Sequence, residues 1–89
     1  MPRFYFDVRE GPLFIEDEDG LEFPNLAKAE QEAIQAVVSI GKDRIPRSDT
    51  RDVTVEVRDK DGKRVLTVEV TLIVERVDFS SRRRSPLGA

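Results

Sequence analysis

The chain has 89 residues, with 15 basic and 18 acidic side chains and no histidine, cysteine or tryptophan. This length fits one domain, and the missing residue types exclude disulfides, thiolate zinc sites, imidazole bases and Ser-His pairs, so we expect no enzymatic activity, no cofactor and no metal site. Residues 1–75 carry a net charge of −6 and residues 76–89 a net charge of +3, and this acidic body argues against nucleic-acid binding by the domain, which would need a positive face.

The N-terminal segment predicts a β-hairpin. Apolar and polar residues alternate from residue 3 to residue 9, the segment 10–12 interrupts the alternation, and it resumes at residue 13. We expect Val8 to lie opposite Leu13 and Phe6 opposite Ile15. The predicted inward side chains of the first strand are Phe4, Phe6 and Val8, and the outward ones are Arg3, Tyr5, Asp7 and Arg9.

An acidic run follows the hairpin, at residues 16–22. It is typical of a solvated turn, although carboxylates could also bind a hard cation or a basic partner. A twelve-residue calcium loop with ligands at the required positions is absent. The candidate partner surface combines two of these acidic residues with the basic and aromatic side chains of the first strand: Arg3, Tyr5, Arg9, Glu18 and Asp19.

One amphipathic helix is predicted from Leu26 to Arg44, with Asn25 as its N-cap and Pro46 beyond its end. At about 100° per residue, one inner stripe and one flanking apolar strip form on its surface. The inner stripe contains Leu26, Ala29, Ala33, Ala36, Val37 and Ile40, and the flanking strip contains Ala27, Ile34, Val38 and Ile45. The flanking strip exceeds what one sheet contact requires, so a partner could cover it.

The second half of the chain predicts another hairpin. Asp61-Gly62 favours a two-residue type I′ turn, in which Lys60 would pair with Lys63. The apolar pattern agrees with that register, because a slip by one residue would set valines opposite polar side chains. The expected pairs are Val57 with Leu66, Val55 with Val68, and Val53 with Val70.

The last strand is expected to continue to about Val77, beyond the end of its hairpin partner. An apolar overhang of this kind invites association with another chain. We therefore expect a homodimer whose candidate interface contains Ile34, Val38, Leu72, Ile73 and Val74.

Residues 1–78 are expected to form the domain, and the polar, basic residues 79–89 to be disordered. No stretch reaches the roughly 20 apolar residues of a membrane span and no signal-peptide core follows Met1, so we expect a cytoplasmic protein without a membrane partner.

The predicted fold class is α+β, in the order ββαββ. One four-stranded, antiparallel-rich sheet would be covered by one helix, with the strands in the spatial order second, first, third, fourth. Paired carboxylates could still perform hydrolysis by count alone, but nothing in the sequence predicts the cleft that they require. The function that fits these features is a noncatalytic interaction module that self-associates through its last strand.

Several segments resemble a family of short bacterial proteins of unknown function. The resemblance rests on the opening Met1-Pro2-Arg3-Phe4-Tyr5-Phe6, on Asp19-Gly20 and the segment 21–26, and on Val57, Asp59, Gly62, Val65 and Thr67-Val68. It covers about residues 1 to 70 and implies no known activity. Many members carry a histidine where Asp7 stands, so any role of that histidine is lost here.

A second similarity, at Asp19-Gly20 and Phe23-Pro24-Asn25-Leu26, is to HicB-type antitoxins. Their ribonuclease-H-like domain also begins with a hairpin, an Asp-Gly turn and an acidic helix, whereas the cysteine and glycine that commonly follow are absent here. This similarity implies the alternative function of a regulatory or antitoxin-type protein that binds a protein or nucleic-acid partner.

Overall fold

The computed structural model describes residues 1–78, and within them there are five strands and one α-helix. The elements are β1 (Arg3–Glu10), β2 (Leu13–Ile15), β3 (Leu21–Glu22), α1 (Leu26–Arg44), a 3-10 turn (Ile45–Arg47), β4 (Asp52–Arg58) and β5 (Arg64–Thr71). The sheet order is β2-β1-β4-β5, β3 pairs with β1, and the pairings are antiparallel. The predicted α+β class and the order of the four predicted strands are confirmed.

The core lies between α1 and the β4–β5 half of the sheet. Val53, Val55 and Val57 alternate along β4 and are fully buried, because β4 is a central strand covered by the helix. The helix contributes Ala29, Ala33 and Val37. Their small side chains let the helix axis lie close to the sheet.

Helix α1 begins and ends as predicted. The Asn25 carboxamide oxygen accepts a hydrogen bond of 3.0 Å from the Lys28 amide, which satisfies one of the free donors at the helix start. The helix ends at Arg44 and passes into the 3-10 turn that contains Pro46. The flanking strip divides: Ile45 is buried in the core, whereas Ile34 and Val38 are exposed.

The first hairpin has a different register from the predicted one. Val8 pairs with Ile15 and Glu10 with Leu13, so the prediction was wrong by two residues. The cause is a loop of only two residues, in which Gly11 adopts φ +54, a conformation that costs glycine little. A shift of two residues keeps every side chain on its predicted face.

Strand β3 was missed, and the prediction of a four-stranded sheet was therefore one strand short. Leu21 pairs with Phe4 and Glu22 with Arg3, and the Phe23 amide donates to the Pro2 carbonyl at 3.0 Å. Two residues are too few to produce a visible alternation. The pairing forms because β1 extends beyond the end of β2 and offers free backbone groups.

The second hairpin has the predicted valine register but not the predicted turn. Val57 pairs with Leu66, Val55 with Val68 and Val53 with Val70. The loop has three residues, because Asp59 rather than Lys60 pairs with Lys63. Gly62 has φ +82 whereas Asp61 does not take a positive φ, so the turn is not type I′.

A bulge at the start of β5 reconciles this longer loop with the valine register. Arg58 lies opposite Arg64 and Val57 opposite Leu66, so Val65 is the extra residue. The Asp59 carboxylate stabilises the loop by accepting hydrogen bonds from the Asp61 amide at 2.9 Å and the Lys63 amide at 3.0 Å.

The last strand is shorter than predicted. It ends at Thr71, which lies opposite Asp52, the first residue of β4. One further backbone bond of 2.8 Å joins the Leu72 amide to the Arg51 carbonyl, and residues 72–78 then continue as exposed, irregular chain. The strand stops there because β4 offers no further residues with which to pair. The predicted disordered tail, residues 79–89, lies outside the described residues.

No helix within residues 1–78 has the length and apolar character needed to cross a membrane.

Candidate functional site

Strand β5 forms one edge of the sheet, and within residues 1–78 it has a strand neighbour on one side only. Its helix-facing residues are half-buried, and the apolar chain that follows it is exposed. We call this region the β5 edge surface. It contains Leu66, Val68 and Val70 of β5, Leu72, Ile73 and Val74 after it, and Ile34 and Val38 of the helix.

The helix presents Ile34 and Val38 on the side that is nearest to this edge. Gly41 approaches β5 so closely that a Cβ atom there would lie 3.0 Å from Cγ1 of Val70. Ile34 precedes Gly41 by two helical turns and therefore shares its side, and Val38 lies one turn after Ile34. In contrast, Ile40 lines a groove against Val8 and Ile15 on the opposite side of the helix.

The exposure of these apolar side chains is substantial. Val38 is 54% exposed, Ile73 78% and Val74 70%. A free strand edge beside exposed apolar side chains can add a further strand, in which backbone hydrogen bonds form along the edge and the apolar side chains become buried. The five predicted interface residues are all exposed, and whether they bind anything stays a prediction.

The helix-free face of the sheet carries an ion pair that sequence reasoning missed. Asp7 of β1 is only 3% exposed. Nε of Arg58 lies 2.6 Å from its Oδ2 atom, and Nη2 of Arg58 lies 3.0 Å from its Oδ1 atom. The pair forms because Asp7 and Arg58 project from the same face of adjacent strands. Asp7 lies at a predicted outward position, and the predicted adjacency of the first and third strands was the signal that could have indicated a cross-strand ion pair.

The same pair holds the acidic loop against the sheet. Asp7 Oδ1 also accepts the Asp17 amide at 3.0 Å, and Arg58 donates to the Asp17 carbonyl at 3.0 Å. The Asp17 carboxylate in turn accepts the amides of Phe6 at 3.0 Å, Asp19 at 3.1 Å and Gly20 at 3.1 Å. Asp17 therefore supplies the acceptor that Phe6 lacks in the gap between the β2 and β3 pairings.

These contacts keep both carboxylates ionised. Burial opposes the charge on Asp7, but hydrogen bonds from Arg58 and from the Asp17 amide, with the positive charges of Arg58 and Arg64, outweigh it and lower the pKa of Asp7. Burial likewise opposes the charge on Asp17, but the three backbone amides lower its pKa despite the nearby Asp7.

The predicted partner surface is divided by these contacts. Nη1 of Arg3 donates to the carbonyl of Asp19 at 2.9 Å, the guanidinium of Arg58 lies 5.1 Å from the ring centre of Tyr5, and that of Arg9 lies 4.6 Å from the ring centre of Phe14. Arg3, Tyr5 and Arg9 therefore each contact another group of the chain. Glu18 and the Asp19 side chain remain exposed.

Among residues 1–78, no group of three or more His, Cys, Asp or Glu side chains is arranged to hold a metal ion.

Comparison with known proteins places this fold in a family. Residues 3–71 match the family described as Domain of unknown function (DUF6894). The chain belongs to the DUF6894 family. The matched range contains all five strands and the helix, and it ends at Thr71, where β5 ends. The predicted membership of a family of unknown function is confirmed. No curated protein and no solved structure matches the chain, and the similarity to HicB-type antitoxins stays a prediction.

Proposed function

We propose that this DUF6894 protein is a noncatalytic interaction module that self-associates by pairing the β5 edges of two copies. The observation that supports the proposal is that, among residues 1–78, the free edge of β5 coincides with exposed apolar side chains from both the helix and the chain after β5. Antiparallel pairing of two β5 strands would give a closed twofold dimer with one continuous sheet.

The position of the helix fits such a dimer. Helix α1 packs against both β4 and β5. Neighbouring strands lie about 4.8 Å apart, so the β4–β5 midlines of two copies joined at β5 would be two strand spacings, about 10 Å, apart. Helices pack at about 8 to 10 Å. The two helices would therefore meet along the side that carries Val38.

The opposite edge of the sheet is a poorer site for strand addition. Strand β2 has three residues, and the chain leaves it for the acidic loop. Strand β5 has eight residues and presents apolar side chains on the helix side along its length. A longer regular edge allows more backbone hydrogen bonds per added strand.

The chemistry of the available side chains supports the noncatalytic part of this proposal. The chain has no histidine or cysteine. The neighbouring carboxylates of buried Asp7 and half-buried Asp17 are committed to amide and guanidinium donors, and both pKa values are lowered. Such groups make poor proton donors near neutral pH. The cytoplasmic location stays a prediction.

A pair of matched variants tests the self-association. Val38 and Leu13 are exposed to nearly the same degree, 54% and 52%, but only Val38 belongs to the β5 edge surface. We expect light scattering to give a dimer for the wild-type chain at high micromolar concentration, a monomer for Val38→Lys, and a dimer for Leu13→Lys. A monomeric wild-type chain, or equal dissociation of both variants, would contradict the proposal.

A second candidate function is the capture of a basic partner by the acidic loop. Its support is the rigid anchoring of this loop by Asp17, which leaves Glu18 and Asp19 exposed. A partner that co-purifies from native cells should be lost from a Glu18→Lys/Asp19→Lys variant and retained by Glu30→Lys, which reverses an exposed charge on the helix. Unchanged recovery with the loop variant would exclude this surface.

A further inference from the structure

The chain after β5 has a strand pattern that the single copy does not use. Apolar residues recur at every second position from Leu66 to Val74, yet the strand ends at Thr71. Strand β4 begins opposite Thr71, and only the Leu72 amide finds a further acceptor, the Arg51 carbonyl, so within residues 1–78 Ile73 and Val74 have no strand with which to pair. Leu72, Ile73 and Val74 are consequently exposed.

We infer that residues 72–74 become part of β5 when two copies pair, and that the twofold axis of the dimer passes through Val70. This inference rests on the proposed self-association and specifies its register. The added strand residues would pair with the β5 strand of the partner subunit.

The register follows from which side chains must share a face. Directly opposed residues of antiparallel strands point to the same face of a sheet. When the twofold axis is perpendicular to the continuous sheet, both helices lie on the same face of that sheet. Opposed residues then share a face only if one residue lies directly opposite its own copy in the partner subunit, and we describe the axis as passing through that residue. The central candidates are Val68, Glu69 and Val70.

Glu69 is excluded by charge. An axis through Glu69 would place two carboxylates directly opposite each other, which destabilises a strand pair. An axis through Val68 would pair the β5 strands but would set Leu72 near the start of the partner strand, and residues 73 and 74 would lie beyond it.

An axis through Val70 gives each apolar residue on the helix side an apolar neighbour. Val70 would lie opposite Val70 of the partner subunit, Val68 opposite Leu72 of the partner subunit, and Leu66 opposite Val74 of the partner subunit. On the other face, Glu69 would lie opposite Thr71 of the partner subunit. Unlike an axis through Val68, this register uses the exposed residues 72–74 as strand, and unlike an axis through Glu69 it sets no two carboxylates opposite each other.

Two threonines on the other face of β5 distinguish the registers. Thr67 and Thr71 are both exposed, and the chain has no cysteine, so Thr67→Cys and Thr71→Cys can each be labelled at one site with a nitroxide. An axis through Val70 places the two Thr71 positions two residues apart along the strands and the two Thr67 positions six residues apart. These offsets correspond to about 7 Å and about 20 Å, and an axis through Val68 exchanges them.

We expect strong dipolar broadening in the electron paramagnetic resonance spectrum of labelled Thr71→Cys and a longer distance in labelled Thr67→Cys. The Leu72 amide already donates to Arg51, so the Ile73 amide is the one that points to the free edge. In the unlabelled wild-type chain, hydrogen exchange should show protection of the Ile73 amide at high concentration, with loss of that protection in Val38→Lys. A dimer with the two label distances exchanged, or without protection of the Ile73 amide, would overturn the register while the proposed function stands. A monomer in light scattering would overturn both.

Discussion

Arg58 holds both carboxylate oxygens of Asp7 across the β1–β4 pairing, at 2.6 Å from Nε and 3.0 Å from Nη2. The Arg58 side chain is partly accessible, whereas that of Asp7 is buried. Arg58 also donates to the Asp17 carbonyl. This side chain therefore neutralises a buried charge and joins the acidic loop to the sheet.

Removing Arg58 should destabilise the fold strongly. Arg58→Met would leave the Asp7 carboxylate buried without its cation, and loss of one partner from a buried pair costs about 3 kcal/mol or more. Urea unfolding measures the change. Arg64→Met is the control, because Arg64 binds Glu56 at 3.1 Å but is mostly exposed, and such a pair contributes less than about 1 kcal/mol. Equal losses from the two variants would contradict the role of Asp7 burial.

Acid should weaken the fold through Asp7 and Asp17. Both pKa values are lowered from 3.8, so the folded state holds the ionised forms more strongly than the unfolded chain does. Their stabilisation is fully present above the unfolded pKa and is lost as the pH falls through the folded pKa. We expect the free energy of unfolding to fall as the pH is lowered from about 5 to about 2.

The variant Asp17→Asn separates this effect from general acid sensitivity. It removes the charge and leaves one oxygen for three amides, so it should be less stable than the wild-type chain at neutral pH and should lose less stability on acidification. Urea unfolding at several pH values gives both quantities. An unchanged slope against pH would exclude Asp17 as a contributor.

Gly20 should tolerate alanine worse than Gly62 does. Both have positive φ, +71 and +82, but a Cβ at Gly20 would lie 2.9 Å from the Phe4 carbonyl oxygen and 2.9 Å from Cε2 of Tyr5, whereas nothing lies within 4 Å at Gly62. The backbone conformation alone costs alanine about 1 kcal/mol. We expect about that loss for Gly62→Ala and at least about 2 kcal/mol for Gly20→Ala, since packing conflicts add about 1 kcal/mol or more. Similar unfolding midpoints would show that the acidic loop moves away at little cost.

Gly41 should not accept a large side chain. A Cβ there would lie 3.0 Å from Cγ1 of Val70 and 3.5 Å from Cδ1 of Ile45. Gly41→Leu would push α1 away from β5 and should lower the free energy of unfolding by about 2 kcal/mol, despite the better helix propensity of leucine. Ser39→Leu, at an exposed position of the same helix, should change it by less than about 0.5 kcal/mol. An unchanged free energy of unfolding in Gly41→Leu would mean that the helix and β5 separate easily.

Long elements with regular alternation were predictable. The register between the valines of β4 and their partners in β5 was predictable, because a slip of one residue would have exposed apolar side chains and buried charged ones. The helix was bounded by Asn25 and Pro46, whose side chains act locally on the backbone. These features depend on near neighbours in the chain.

Short or compensated features were not predictable. The turn after β4 took three residues rather than two, and the bulge at Val65 restored the valine register, so two local deviations cancelled. The pairing of β3 requires only that β1 offers free backbone groups beside Leu21 and Glu22. Neither feature produces a pattern of apolar side chains.

The amino-acid sequence by itself determined which residues form the helix and the long strands and which of their faces become buried, because periodicity and caps act within a few residues. Only the tertiary structure decided that Asp7 would be buried against Arg58, because 51 positions separate the two residues and the burial of a charge depends on what surrounds it. It also decided where β5 ends, since a strand continues only as far as a neighbour supplies hydrogen-bonding groups.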